Sequence, residues 1–216
     1  MLAGSPELFS AAELLLLGFE TLEEWQTAYS GKFSLWQEGV IRALMEVHGI
    51  DADGAKAMLA DYVAQGMGTQ ELLAELQSAV YPRTLVDKSP AYALNLDTLN
   101  RAESLFENAR YIHLVRHPQS MIASFEKNHL AQTLHLHDHD FADHTLGEMV
   151  WTVSHQNILT FLKRIPENRQ SRVLFESLVQ QPDSTIKQIC KDLSLSYYPE
   201  MVHPYENTVR KMTDGI

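Results

Sequence analysis

Three short runs decide most of what this chain can fold into. Thr84-Leu85-Val86, Tyr111-Ile112-His113-Leu114-Val115 and Arg172-Val173-Leu174-Phe175 are apolar and rich in β-branched residues, without polar alternation. A strand with one wet face alternates, whereas a strand covered on both faces does not, so these runs predict a parallel sheet flanked by helices. Helical spacing fills the text between and after them, at about 96–107, 118–128, 145–164 and 184–193, the last two followed by Pro166 and Pro199. Strand, helix, strand, helix is the order of an α/β domain in three layers.

The N-terminal third reads as a helix-rich insertion. Thr21-Leu22-Glu23-Glu24 has the form of a capping box, Leu35, Val40, Leu44 and Val47 keep an approximate helical spacing, and Asp51 and Thr69 read as later N-caps. No repeat, low-complexity tract or linker interrupts residues 1–216, which are expected to form a single domain. Lys and Arg number 17 against 28 Asp and Glu, a net charge of -11, so nucleic acid and anionic membrane are expected to be repelled and any polyanion site must be a local pocket. Cys190 is the one cysteine and has no partner for an internal disulfide. Leu14 to Leu17 is too short an apolar run for a span, and no charged leader precedes it, so a cytoplasmic location is expected.

Ligands of such sheets bind beyond the carboxyl ends of the strands, and each run here passes straight into polar residues: Asp87-Lys88-Ser89-Pro90, Arg116-His117-Pro118, and Glu176-Ser177. Arg116, with Ser124 eight residues on along the next helix, can bring a guanidinium, a hydroxyl and helix N-terminal amides onto one phosphate. The other reading pairs Arg116 with a structural carboxylate and leaves Ser124 on the helix surface. Lys88 at a crevice mouth costs desolvation unless an anion meets it, and that anion is either a ligand or a neighbouring acid such as Asp87.

Taken together, Leu85-Val86-Asp87-Lys88-Ser89-Pro90-Ala91-Tyr92, then Ala109 to Pro118 and Ser124, resemble the sulfotransferase family. Phe175-Glu176-Ser177-Leu178-Val179-Gln180-Gln181-Pro182 resembles that family's (Tyr/Phe)-Glu-x-Leu-Val-x-x-Pro turn, and Pro204-Tyr205 with Arg210 to Gly215 is similar to the sulfotransferase domains of cyanobacterial polyketide and olefin synthases. The resemblance implies a P-loop-like three-layer fold. It also implies transfer of a sulfuryl group from 3'-phosphoadenosine 5'-phosphosulfate to a hydroxyl, with a hydroxylated acyl chain on an acyl-carrier protein as a candidate acceptor. Carried over, Arg116 and Ser124 grip the nucleotide's 3'-phosphate and Lys88 lies near the 5'-phosphosulfate. Sulfuryl transfer, like phosphoryl transfer, is helped by cations and by a base that takes the acceptor's proton.

Two residues compete for the role of base. Glu13 occupies the position that leads, in several sulfotransferases, from the phosphosulfate loop to a catalytic glutamate; it also fits a surface residue ahead of Leu14. His129, His135, His137, His139 and His144 fall within sixteen residues between two helices, in a polar stretch that suits a lid. His144, on the more ordered flank, is the candidate from that group, with His155 in reserve. The same histidines admit a metal reading, and a non-catalytic helical interaction module with a metal-holding loop is the rival to an enzyme. No H-E-x-x-H or cysteine pair supports a closed site, so no metal is expected. Trp151, Phe161, Leu146, Met149, Val150 and Val153 read as helix packing, and Cys190 as a buried thiol.

The family's first strand and its Ser-Gly-(Ser/Thr)-Thr loop, whose amides cradle the phosphosulfate, have no counterpart in the text. The expectation is therefore a domain truncated at both ends, able to hold the nucleotide's periphery but without turnover as written.

Overall fold

The computed structural model describes residues 1–128, 130, 140–204 and 206. Backbone contacts divide them into two compact units: Met1–Ser89 with the described residues from Tyr198 on, and Pro90–Tyr197.

In the first unit, β1 (Leu8–Ser10) pairs in parallel with β2 (Thr84–Val86), Phe9 opposite Leu85. Helices α1 (Leu22–Ala28), α2 (Glu38–His48), α3 (Ala52–Ala64) and α4 (Thr69–Val80) lie between them in sequence. The capping box of α1 forms as expected: Thr21 Oγ1 accepts the Glu24 N–H at 3.2 Å, and the Glu24 carboxylate accepts the Thr21 N–H at 3.2 Å. Asp51 caps α3 through the Gly54 N–H at 2.8 Å. Thr69 does not cap α4. Gly68 holds that place with its N–H on the Glu71 carboxylate at 2.6 Å, and the buried Thr69 hydroxyl turns inward to donate to the Phe19 carbonyl at 2.5 Å. Leu35 is 63% exposed and stands outside the apolar stripe of α2, whose Val40 and Leu44 are fully buried. The run Leu14 to Leu17 is buried throughout, and with Leu22, Trp25, Leu72 and Leu76 it makes the core of this unit. Each such side chain contributes about 1.5–3 kcal/mol by leaving water.

The second unit runs α5 (Leu96–Leu105), β3 (Tyr111–Val115), α6 (Pro118–Lys127), α7 (Asp143–Leu162), β4 (Gln170–Leu174), α8 (Phe175–Gln180) and α9 (Pro182–Asp192). Strands β3 and β4 are parallel, with Tyr111 beside Gln170 and His113 beside Arg172. The third apolar run thus begins two residues earlier than its hydrophobicity indicates, and Phe175 starts a helix instead of ending a strand. Among the described residues the strands form two two-stranded parallel sheets, one per unit. The class is α/β and helix-rich.

Side chains alternate across a strand, and the two faces of β3 differ accordingly. Tyr111 and His113 meet α7: the Tyr111 ring lies edge-on to Phe161 with centroids 4.9 Å apart, and His113 touches His155. The opposite face of β4 meets α9, where the buried Ser171 hydroxyl donates to Asp192 Oδ2 at 2.7 Å. Ile112 and Leu114, on that same face of β3, are 37% and 48% exposed, so α9 covers β4 and leaves β3 open. Ile122, Phe125, Leu146 and Phe161 are buried, and a Cβ on Gly147 would meet Ile122 Cγ2 at 3.3 Å, which shows how closely α6 and α7 approach. Cys190 is 2% exposed, on the inner face of α9 with Ile186 and Ile189. Among the described residues no helix is long and apolar enough to cross a membrane.

Candidate functional site

In the first unit, the stretch between β1 and α1 is folded against the end of β2. Asp87 Oδ1 accepts the Leu14 N–H at 3.3 Å and the Ser89 hydroxyl at 2.7 Å, while Ser89 Oγ accepts the Leu15 N–H at 3.2 Å. Trp25 Nε1 donates to the Leu14 carbonyl at 3.2 Å. Leu15 itself sits at φ 57, a left-handed conformation that a leucine holds only when its surroundings fix it. A Cβ on Gly39 would overlap the Glu13 carbonyl, so α2 reaches this stretch because residue 39 is glycine. These contacts leave Glu13 and Lys88 facing each other, with Lys88 Nζ on Glu13 Oε1 at 2.5 Å. Glu13 meets Lys88, while Asp87 Oδ1 takes the Leu14 N–H and the Ser89 hydroxyl. Tyr29 stands nearby, its phenol pKa raised by burial and then by the Glu13 charge.

In the second unit, Arg116 leaves the end of β3. Its guanidinium lies over the Phe175 ring, 5.0 Å from the centroid, and its Nε is buried with no hydrogen-bond partner among the described residues. Arg116, Ser120, Phe175, Glu176, Val179 and Gln180 line a cleft of about 200 Å³. That volume takes a phosphate-sized group, not a whole nucleotide. Glu176 brings a carboxylate to the same cleft, but its Oε1 accepts the His117 N–H at 2.9 Å at the start of α6. That backbone bond is the main reason its pKa is lowered, with the charges of His117 and Arg116 adding to it. Proline at the first position of α6 suits the helix start, where an N–H would have no partner.

Behind Arg116, α7 presents Trp151 and His155 one turn apart on one face. Trp151 Nε1 donates to the Arg116 carbonyl at 3.0 Å, and its ring centroid is 4.4 Å from that of His155. His155 Nδ1 and His113 Nε2 are 2.8 Å apart, and the other nitrogen of His113 is buried without a partner among the described residues. Burial chiefly, then His155 and Arg172, push the His113 pKa down to about 4; burial and then Arg172 lower that of His155.

The remaining candidates lie elsewhere. Ser124 is on α6 outside the cleft lining, where Ser120 stands one turn earlier, and its Oγ accepts from Asn128 Nδ2 at 3.2 Å. His144 is in the first turn of α7, its ring 3.5 Å from a Glu126 oxygen and 3.6 Å from a Glu148 oxygen. His129, His135, His137 and His139 lie outside the described residues, as do Tyr205 and Arg210 to Gly215. Among the described residues no group of three or more histidines, cysteines and acids is placed to hold a metal. Trp151, expected only to pack its helix, also bonds the Arg116 carbonyl, and Phe175, expected to end a strand, begins α8 under the guanidinium. The signal for Trp151 was its four-residue spacing from His155 on a helix facing β3.

The sulfotransferase family profile matches residues 1–200. Among solved structures, the sulfotransferase domain from the curacin biosynthetic pathway superposes with a TM-score of 0.89 at 38% identity, over 97% of this chain and 72% of that one. The sulfotransferase domain from the Synechococcus PCC 7002 olefin synthase follows at 0.83 and 31%, over 99% of this chain and 77% of its own. A curated Caenorhabditis briggsae protein named "Putative protein-tyrosine sulfotransferase" is 24% identical over 190 residues, 77% of this chain; the chain spans 65% of that protein's length. A profile match across nearly the whole sequence, with two superpositions above 30% identity, settles the kinship: this chain belongs to the sulfotransferase family.

Proposed function

We propose that the chain serves sulfuryl transfer from 3'-phosphoadenosine 5'-phosphosulfate to a hydroxyl group, with a 3-hydroxyacyl chain on an acyl-carrier protein as the acceptor. The observation that carries this reading is Arg116: a guanidinium stacked on an aromatic ring at a strand end, lining a phosphate-sized cleft, with a buried donor still unmatched. A buried N–H without a partner costs about 1–3 kcal/mol, and a phosphate in the cleft would offset that cost by pairing with the guanidinium that carries it. Arg116 is assigned to the nucleotide's 3'-phosphate, with Ser124 proposed to join it from one turn beyond the cleft lining, and Lys88 to the phosphosulfate. Two named relatives, from a curacin pathway and an olefin synthase, support a carrier-bound acceptor.

In the transfer, the bond from sulfur to the bridging phosphate oxygen breaks, a bond from sulfur to the acceptor oxygen forms, and adenosine 3',5'-bisphosphate leaves. The acceptor's proton goes to a carboxylate or an imidazole. Glu13 is favoured over His144 because Lys88, the cation assigned to the transferring group, already touches it.

Isothermal titration with adenosine 3',5'-bisphosphate tests the reading. Saturable binding is expected, weakened by about 1.5–3 kcal/mol in Arg116→Ala and weakened by salt. Equal affinity in Arg116→Ala would overturn the assignment. A transfer assay with a 3-hydroxyacyl carrier protein then tests the expectation that residues 1–216 do not turn over; turnover by the parent would overturn that expectation, and Glu13→Gln is then expected to lower it about 10²–10⁴-fold.

A further inference from the structure

The peptide group that joins Arg116 to His117 is held at both of its polar atoms by side chains from other helices. Trp151 Nε1, from α7, donates to the Arg116 carbonyl at 3.0 Å, and Glu176 Oε1, from α8, accepts the His117 N–H at 2.9 Å. Neither bond belongs to a strand ladder or a helix. A peptide plane has one rotational freedom relative to its neighbours, set by ψ of the residue before it and φ of the residue after it, and two opposed hydrogen bonds remove it. This plane lies where β3 ends and α6 begins, so its orientation sets how the first turn of α6 leaves the strand and where the Arg116 side chain starts. Phe175, next to Glu176 in the chain, holds the far end of the same side chain through its ring.

We propose that Trp151 and Glu176 are positioning residues for the anion site at Arg116, acting through this one peptide group and not by contact with the anion. The inference rests on the reading of Arg116 given above. Glu176 is the sharper case, because a carboxylate in a cleft meant for an anion opposes binding by its charge. It is tolerated there because its charge is directed to the His117 N–H and the positive end of α6. The useful property of Glu176 is therefore its acceptor oxygen, which a glutamine also has.

Four variants separate these roles, with adenosine 3',5'-bisphosphate as the probe and the full chain as the protein. Glu176→Ala and Trp151→Phe each remove one bond from the clamped peptide and are expected to weaken binding roughly five- to tenfold, the effect of one hydrogen bond. Glu176→Gln keeps the acceptor, drops the charge, and is expected to bind at least as tightly as the parent. Arg116→Ala is the control for the site itself. The His117 amide gives a signature independent of the probe: in the parent its NMR resonance should move as the Glu176 carboxyl is protonated at acid pH, and this titration should vanish in Glu176→Gln. If the parent binds, Arg116→Ala does not, and Glu176→Ala binds as tightly as Glu176→Gln, then Glu176 acts only as a charge and the positioning role is overturned while the anion site stands. Parent-like binding by Trp151→Phe overturns the role of Trp151 in the same way. Absence of binding by the parent itself overturns the anion site and this inference with it.

Discussion

Gly39 shows how much one missing carbon decides. A Cβ there would overlap the carbonyl of Glu13, so Gly39→Ala must push α2 away from the stretch that carries Glu13 and Leu15. Overpacking of this kind costs about 1–3 kcal/mol, and the expected result is a melting temperature lowered by several degrees, with the Lys88–Glu13 contact loosened as well. An unchanged melting temperature would mean that α2 can shift freely. Of the residues at the candidate site, Lys88, Arg116 and Glu176 were legible because each lies within two residues of the end of an apolar run, and a polar residue at a strand's carboxyl end is a visible mark. Gly39, Trp151 and Phe175 were not. Their roles depend on which backbone atom or guanidinium lies across from them, and periodicity assigns a residue to a face without naming its neighbour on that face.

At the scale of elements, the contact between β3 and α7 carries its own pH dependence. His113 and His155 both have pKa values lowered in the fold, that of His113 to about 4, against about 6.5 in an unfolded chain. Below about pH 6.5 the unfolded state therefore binds more protons than the native one, and stability falls as pH falls, by at most about 1.4 kcal/mol per pH unit for each histidine, until about pH 4 for His113. Thermal unfolding from pH 7.5 to pH 5 should show this loss, and His155→Gln, which removes one titrating ring, should flatten it; an unchanged slope would place the acid sensitivity elsewhere. At the other end of β3, Tyr111 Oη donates to Glu103 at 2.8 Å, and Arg169 donates to both oxygens of the same carboxylate. Tyr111→Phe is expected to cost about 1 kcal/mol in denaturant unfolding. The existence of most elements could be read from pattern, since the runs at β2 and β3 and the capping signals of α1 and α3 keep their expected bounds, and the run at β4 marks a strand whose ends both shift. What escaped was short or ambiguous. Leu8–Ser10 is three residues long and has no pattern of its own, being a strand only because β2 lies beside it, and Phe175 is apolar enough to extend a strand although its backbone turns into α8.

For the whole molecule, a net charge of -11 and an apolar strand with one face open act against each other. Ile112 and Leu114 on β3 and Leu174 on β4 stand between about a third and a half exposed, and among the described residues the far edge of β3 has no strand beside it. Like charge keeps copies apart at low ionic strength, and salt screens that repulsion beyond about 10 Å at 0.1 M. Light scattering at fixed concentration should therefore rise with added salt, and Leu114→Lys, which charges the open face, should suppress the rise. If scattering were flat in salt, the exposed strand would not be a contact surface. Cys190 offers one more reading of the folded state. As the one cysteine of the chain, and 2% exposed, it can react with a thiol reagent only after α9 has lifted from its support. Its rate of modification under native conditions is thus a clock for that opening, built into the sequence without any label, and a bound nucleotide that steadies the second unit should slow it.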